Sequence, residues 1–484
     1  MRNGRDKKRA EGDMYTIFHP EQDALVRDLL AKHTDFERGA WTAERLHDHQ
    51  RAELRATLSF VVGNAPFYRS HLRQLTSADI DAFELSDLSR LPFTTKDDLR
   101  DNLLDLLSRP VTDGWVFYET TGTTGRATPC PRDNTDSGTN NMALTVNYRD
   151  VLRAHPGRHL IAVMGPTELH STGDTFGDVF RNLGHPVAKM WPHSPVVGFR
   201  RALELLGDLH VTGLVCTPAM AMSLAKQARD LGLSARDDFD LNFIMVVGEL
   251  ATPALLANIE SLWSATAYNC MYASQESSIL AAVRADGRLR TIPLSVVYEV
   301  IDPDSGNLAE PRADGSMLGE LVITHLYRGC KPLIRYRTGD LVRLTPPAGA
   351  ADYPSHTLQP LGRVRDTVLV DREPISAFDL EQTVLTHVRR CVGYQIVIDG
   401  EDGTDRLTVR LECLDPDAVD EPALRAEVRR RFGVEPVVSL EDIGGIAGTG
   451  ALVSWKASRV HDRRVPDDVE RRAALAIAGR RDAR

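Results

Sequence analysis

A chain of 484 residues and 53.6 kDa is too long for one core and suits roughly three units of about 150 residues. Its 58 Lys and Arg stand against 68 Asp and Glu, a net charge of −10 with a pI near 5.9, which excludes a surface built for nucleic acid or an anionic membrane. No apolar run approaches the ~18 residues of a membrane-spanning helix, and six scattered cysteines without a C-x-x-C pair fit reduced thiols in a cytoplasm.

Residues 1–13 are basic without an apolar stretch and read as a disordered leader. Helical patterning covers Glu21–Leu30 and Arg51–Val62. Short apolar runs His159–Met164, Val211–Cys216 and Phe243–Val247 then alternate with amphipathic stretches Gly198–Leu206 and Ala219–Leu231, the pattern of buried parallel strands with crossover helices. Strands predominate from Leu289 to Leu344, among them Val296–Ile301, Gly319–Thr324 and Asp340–Leu344, before the exposed loop Pro346–Ala350. Beyond Gly362 the spacing predicts a hairpin over Thr367–Ile375, a helix at Ala377–Arg389, two strands, and a helix over Glu421–Phe432. Leu407, Val409, Leu411 and Cys413 alternate inward on the second strand. That is a small α+β unit, so the boundaries fall at 14–361 and 362–484.

The segment Thr120-Thr121-Gly122-Thr123-Thr124-Gly125-Arg126 lets consecutive backbone N–H groups and hydroxyls converge on one anionic oxygen cluster. Alone it reads equally as a surface turn, and no Gly-Lys-Ser/Thr ends it as a Walker loop requires. In context it resembles the phosphate-binding loop of the acyl-adenylate-forming superfamily, which comprises acyl-CoA synthetases, adenylation domains and luciferases. Five further segments resemble that superfamily's motifs in order: Val247-Gly248-Glu249, Tyr272-Ala273-Ser274-Gln275-Glu276, Tyr336-Arg337-Thr338-Gly339-Asp340, Gly362-Arg363, and Trp455-Lys456-Ala457-Ser458-Arg459. Asn64–Arg69 and Leu91-Pro92-Phe93-Thr94-Thr95-Lys96-Asp97-Asp98-Leu99 are similar to N-terminal segments of phenylacetate–CoA ligases.

The resemblance implies an α/β fold. A large N-terminal domain with parallel and mixed sheets, crossover helices and a β-rich subdomain binds ATP and the acid; a small, mobile α+β C-terminal domain follows. It implies attack of an aryl carboxylate on the α-phosphorus of ATP, giving an acyl-adenylate and pyrophosphate. Thr120–Gly125 would cradle the phosphates, with Thr123 among the catalytic groups. Glu276 would hold Mg²⁺, a hard cation suited to one carboxylate and phosphate oxygens. Gly248 and Glu249 would lie beside adenine, Tyr272 would stack near it, Asp340 would accept from the ribose hydroxyls, and Arg363 would contact ribose or phosphate. Lys456 would bridge the carboxylate and α-phosphate, and Arg365 sits at the hinge. His170, Asp174, Thr175, Phe176 and Ser274 are the candidates for the acid pocket.

Taken singly, Asp340 reads as a turn residue, Glu276 as a helix-start acid, and Lys456 as a solvated lysine. Three features depart from the superfamily pattern. Ala127 stands where a proline is usual, Leu341–Leu361 holds no cysteine for a zinc site, and Arg372 occupies a position where the family has a glycine beside the pantetheine arm. The acceptor is accordingly CoA by family default, or an amine or reductase partner in a biosynthetic relative. The expected partners are small molecules, not nucleic acid or membrane, with room for a homodimer. The reading from another class is a nucleotide-binding protein without turnover.

Overall fold

The computed structural model describes residues 20–120, 127–166, 168–349, 352–401, 404–446 and 459–464. The short apolar runs form a five-stranded parallel sheet in the order Val187–Lys189, Ile161–Val163, Gly213–Cys216, Phe243–Val246, Thr266–Asn269. Its three central strands are buried along their whole length, as strands covered on both faces must be. Successive residues serve opposite cores. Phe243 and Met245 pack with Tyr148, Phe176 and Phe180, whereas Ile244 and Val246 join Met220, Leu255 and Ile259. The helices Pro218–Asp230 and Pro253–Trp263 start the same way. A threonine side chain (Thr217, Thr252) accepts a first-turn N–H and a proline occupies the first turn.

The β-rich stretch forms a second, seven-stranded sheet. Its order is Val296–Ile301, Met317–His325, Tyr336–Thr345, Thr357–Arg363, Leu289–Thr291, Ser278–Val283, Met271–Ser274. The early helical patterning becomes the helices Pro20–Glu37 and Ala43–Asn64.

After Arg363 the chain leaves this sheet. The predicted hairpin pairs Val368–Val370 with Glu373–Ile375, and a four-stranded sheet carries the helices Ala377–Leu385 and Glu421–Phe432. The first of these helices stops at Leu385, four residues short of the predicted Arg389, and Val388 instead bridges to Val419. Leu407, Val409 and Leu411 are fully buried, but Cys413 at the strand end is only partly so. This unit is seated on the large one. Leu380 and Val384 share an apolar core with Leu255 and Ile259, and the Asn258 side chain exchanges two hydrogen bonds with the backbone of Cys391, at 2.8 and 2.9 Å. All six cysteines are free thiols. Among the described residues no helix is long and apolar enough to cross a membrane.

Candidate active site

One cavity of about 380 Å³ lies where the two large sheets meet. Met164, Thr217 and Val247 line it, each following a strand of the parallel sheet, and so does Asn269, the last residue of another. The cavity therefore opens at the carboxyl ends of those strands, where open α/β sheets take their ligands.

Glu276 sits in the turn between the strands Met271–Ser274 and Ser278–Val283. Its Oε1 accepts from the Tyr336 hydroxyl at 3.2 Å and meets the Lys96 ammonium at 3.2 Å. Burial alone would raise its carboxyl. Lys96, a backbone N–H and Lys331 outweigh it and hold the group down at about 2. Lys96 is delivered by local sequence. Thr94 threads between strands by accepting from Arg337 N–H and donating to Arg335 O and Ile334 O, and Thr95 with Asp98 forms reciprocal capping bonds at the helix that starts with Lys96. Sequence reasoning quoted this segment as a likeness but gave Lys96 no role.

Asp340 and Arg363 meet because their strands pair. Asp340 lies directly across from Arg363 and Leu341 across from Gly362. The Arg363 guanidinium is 3.9 Å from Asp340 Oδ1, and the Tyr272 hydroxyl donates to Oδ2 at 2.6 Å. Burial pushes the Asp340 carboxyl up, opposed by Arg363 and Tyr272. Tyr272 is thus tied to the ribose candidate as well as standing in the cavity wall. Gly362 (φ +109°) is required here, since a Cβ would stand 2.6 Å from that of Ala377.

Gly248 and Glu249 also line the cavity, but the Glu249 carboxylate is engaged. Arg459, 2% exposed, reaches Glu249 at 2.6 Å and Glu381 at 3.0 Å, and its guanidinium lies 5.2 Å over the Tyr394 ring. Burial pushes the Glu249 carboxyl up and Arg459 opposes it. The last residue of the terminal motif therefore ties the small unit to the strand end beside the cavity.

Thr120 closes the neck of the phosphate-loop candidate. Its N–H donates to Thr128 O at 3.0 Å and its Oγ1 accepts from Thr128 N–H at 2.9 Å. Thr121, Gly122, Thr123, Thr124, Gly125 and Lys456 lie outside the described residues. Arg365 lies in a short 3₁₀ turn directly after the Gly-Arg pair, its side chain 47% exposed.

Of the acid-pocket candidates, His170, Thr175 and Ser274 line the cavity. Asp174 and Phe176 do not, which corrects that part of the expectation. Asp174 turns outward to accept from Tyr118 and Lys189, both at 3.0 Å. Phe176 is fully buried between Tyr148 and Phe180. Burial, with Arg132 adding to it, lowers the His170 imidazole to about 4. Arg132 and Asn140, unassigned in the sequence, also stand in the wall.

Glu276 fits the Mg²⁺ role on its chemistry, being a buried carboxylate kept ionised in the wall of the cavity. A second group of metal-type side chains, Asp133, Asp136 and Cys330, is a helix cap instead. Asp136 accepts from the N–H groups of Asp133 and Cys330 at 3.0 and 2.8 Å, and Asp133 accepts from that of Asp136 at 2.9 Å.

No family model matches the chain. A phenylacetate–coenzyme A ligase of Thermus thermophilus is 29% identical over 392 residues, spanning 77% of this chain and 82% of that protein. The enzyme of the same name from Escherichia coli K12 is 26% identical over 445 residues, 87% and 96% of the two chains. Among solved structures, 2-hydroxyisobutyryl-CoA ligase in its postadenylation state superposes with a TM-score of 0.71 at 21% identity, covering 92% of this chain and 93% of that one. The chain is thus similar over most of its length to phenylacetate–CoA ligases, and its fold is that of 2-hydroxyisobutyryl-CoA ligase.

Proposed function

We propose that the protein is an ATP-dependent, AMP-forming carboxylate ligase with CoA as acceptor. The observation that carries this reading is the convergence of Glu276, Asp340, Arg363 and Tyr272, from three separated motifs, on one cavity at the carboxyl ends of the parallel strands. A carboxylate and a triphosphate repel, so catalysis consists of alignment and charge neutralisation. The loop beyond Thr120 receives the phosphates. Asp340, oriented by Tyr272, takes the ribose hydroxyls, and Arg363 adds positive charge beside it. Glu276 would hold Mg²⁺, which when bound would neutralise phosphate charge. Lys96 holds that carboxylate in place from below. Lys456 stabilises the charge that grows between the incoming carboxylate and the α-phosphate.

The small unit from 362 onward is the part that moves between the two half-reactions, about Arg365, carrying Lys456 away once the adenylate has formed. The assignment of CoA draws on the names of the relatives and on the place of Arg372. That residue is exposed at the tip of the hairpin Val368–Ile375 (φ +67°), and it is absent from the described wall of the cavity. The test is acid-dependent exchange of labelled pyrophosphate into ATP over a broad acid panel, then addition of CoA to the adenylate. Lys456→Ala should slow exchange on the order of a hundredfold or more and spare transfer from pre-formed adenylate. Exchange with no acid would end the ligase reading. Adenylate that reacts with amines but not with CoA in wild type, gaining thioester formation only in Arg372→Gly, would move the acceptor to an amine.

A further inference from the structure

Arg132 is the one cation in the described wall of the cavity for which no carboxylate lies within ion-pairing distance. It is 6% exposed, and its Nε is buried without a partner. Among the described residues its side chain makes one hydrogen bond, a long one, Nη2 donating to Gln275 O at 3.4 Å, and its guanidinium lies 5.3 Å from the Tyr118 ring centre. The nearby Asp136 carboxylate is occupied by the backbone N–H groups of Asp133 and Cys330. A guanidinium taken out of water without an anion is costly unless a ligand supplies one. Beside it the Gln275 side-chain oxygen is likewise buried and unpartnered. Turning that amide over presents its NH₂ next to the guanidinium, so the pair can offer several donors to one planar acceptor.

The place of Arg132 separates it from the nucleotide phosphates. It lies opposite Val116, at the end of the two-stranded ribbon away from the Thr120–Thr128 neck. That is four residues beyond the neck at Thr128, roughly 13 Å along a strand. Tyr118, beneath it, donates to Asp174 on the helix Thr172–Asn182, which carries Thr172 and Thr175 into the same wall as His170 and Asn140. Among the described lining residues the aromatic rings are Tyr272 and His170, with no Phe or Trp. Such a wall suits a polar acid better than a phenyl ring, which takes its affinity from aromatic and aliphatic contacts.

The geometry points to a substrate acid that carries a second carboxylate, bound by Arg132 and Gln275 while the first carboxylate reacts. This rests on the ligase reading above and narrows its acid from an aryl monocarboxylate to a dicarboxylate. The test compares pyrophosphate exchange for aliphatic and aromatic dicarboxylic acids with that for their half-esters and for monocarboxylic acids of equal length. Wild type should show a kcat/KM at least tenfold higher for a dicarboxylate. Arg132→Met should lose at least tenfold more on that acid than on the matched monocarboxylate, and Arg132→Lys should recover part of the difference. Should Arg132→Met fail to fold, the wild-type preference and Arg132→Lys decide alone. A wild-type preference for uncharged aromatic acids would overturn the proposal. So would a rise in the KM for ATP in Arg132→Met with acid selectivity unchanged. If no acid supports exchange the ligase reading falls, and ligand-induced shifts in Tm then judge the site. A dicarboxylate that raises Tm in wild type but not in Arg132→Met upholds it, and no shift in either refutes it.

Discussion

At the end of the cavity proposed to take the nucleotide, Glu276 is held by Lys96 and Tyr336, Asp340 by Tyr272 and Arg363, and Glu249 by Arg459. At the end proposed to take the acid, Arg132 and the Gln275 amide have buried polar atoms with no hydrogen-bond partner. The first arrangement is a preorganised site whose charges are fixed before a ligand arrives, which removes reorganisation at the moment of reaction. The second is unfinished without its ligand. Substitutions at the first end should therefore weaken the fold together with the chemistry, whereas those at the second should change which acid is used.

The largest effect should come from Arg459→Met, which strands Glu249 and Glu381 in the interface. Removing one member of a buried ionic group costs about 3–5 kcal/mol, to be read as a loss of stability in urea. Retained stability would mean that the small unit is held by its apolar contacts alone. Glu276→Gln should come next. Adenylation should fall on the order of a hundredfold, as when a charge that stabilises a transition state is removed, with a steeper requirement for Mg²⁺. Unchanged metal dependence would reduce Glu276 to a partner for Lys96.

Asp340→Asn should weaken ATP by about 1–3 kcal/mol, the loss from an unpaired buried polar group, and Tyr272→Phe by about 1 kcal/mol, since it removes a neutral donor and leaves the carboxylate with Arg363. A larger effect from Tyr272→Phe would show that the ring itself carries the contact. The smallest signal is at His170. Burial lowers its folded-state midpoint from the ordinary 6.5 to about 4. Its contribution to stability is accordingly complete above pH 6.5 and is lost as pH falls through 4. Its ring resonances should titrate near 4 by NMR, and a midpoint near 6.5 would place it in water.

That Glu276, Asp340, Arg363 and Tyr272 share one cavity was legible because they come in short ordered runs, and cross-strand pairing of Asp340 with Arg363 brings two of those runs together. The acid end was not. The helix Thr172–Asn182 carries pocket, core and surface residues within five positions, and the sequence does not reveal its rotation, so Thr175 was placed in the wall along with the buried Phe176 and the outward Asp174. The helix Asn134–Ala154 was missed for a related reason. Thr145 and Asn147 are buried within it, bonding back to the carbonyls of Asn141 and Ala143, and such residues erase the apolar period. Arg132 gave no signal at all. An arginine ending Pro-Cys-Pro-Arg looks like any strand-end cation until its missing partner is seen.

The central claim is that ATP is cleaved between its α- and β-phosphorus by a carboxylate. Phosphorus NMR of the reaction with a supported acid and CoA as acceptor reads this directly. AMP and pyrophosphate should appear in equal amounts, dependent on the acid and lost in Glu276→Gln. ADP with inorganic phosphate would contradict the account.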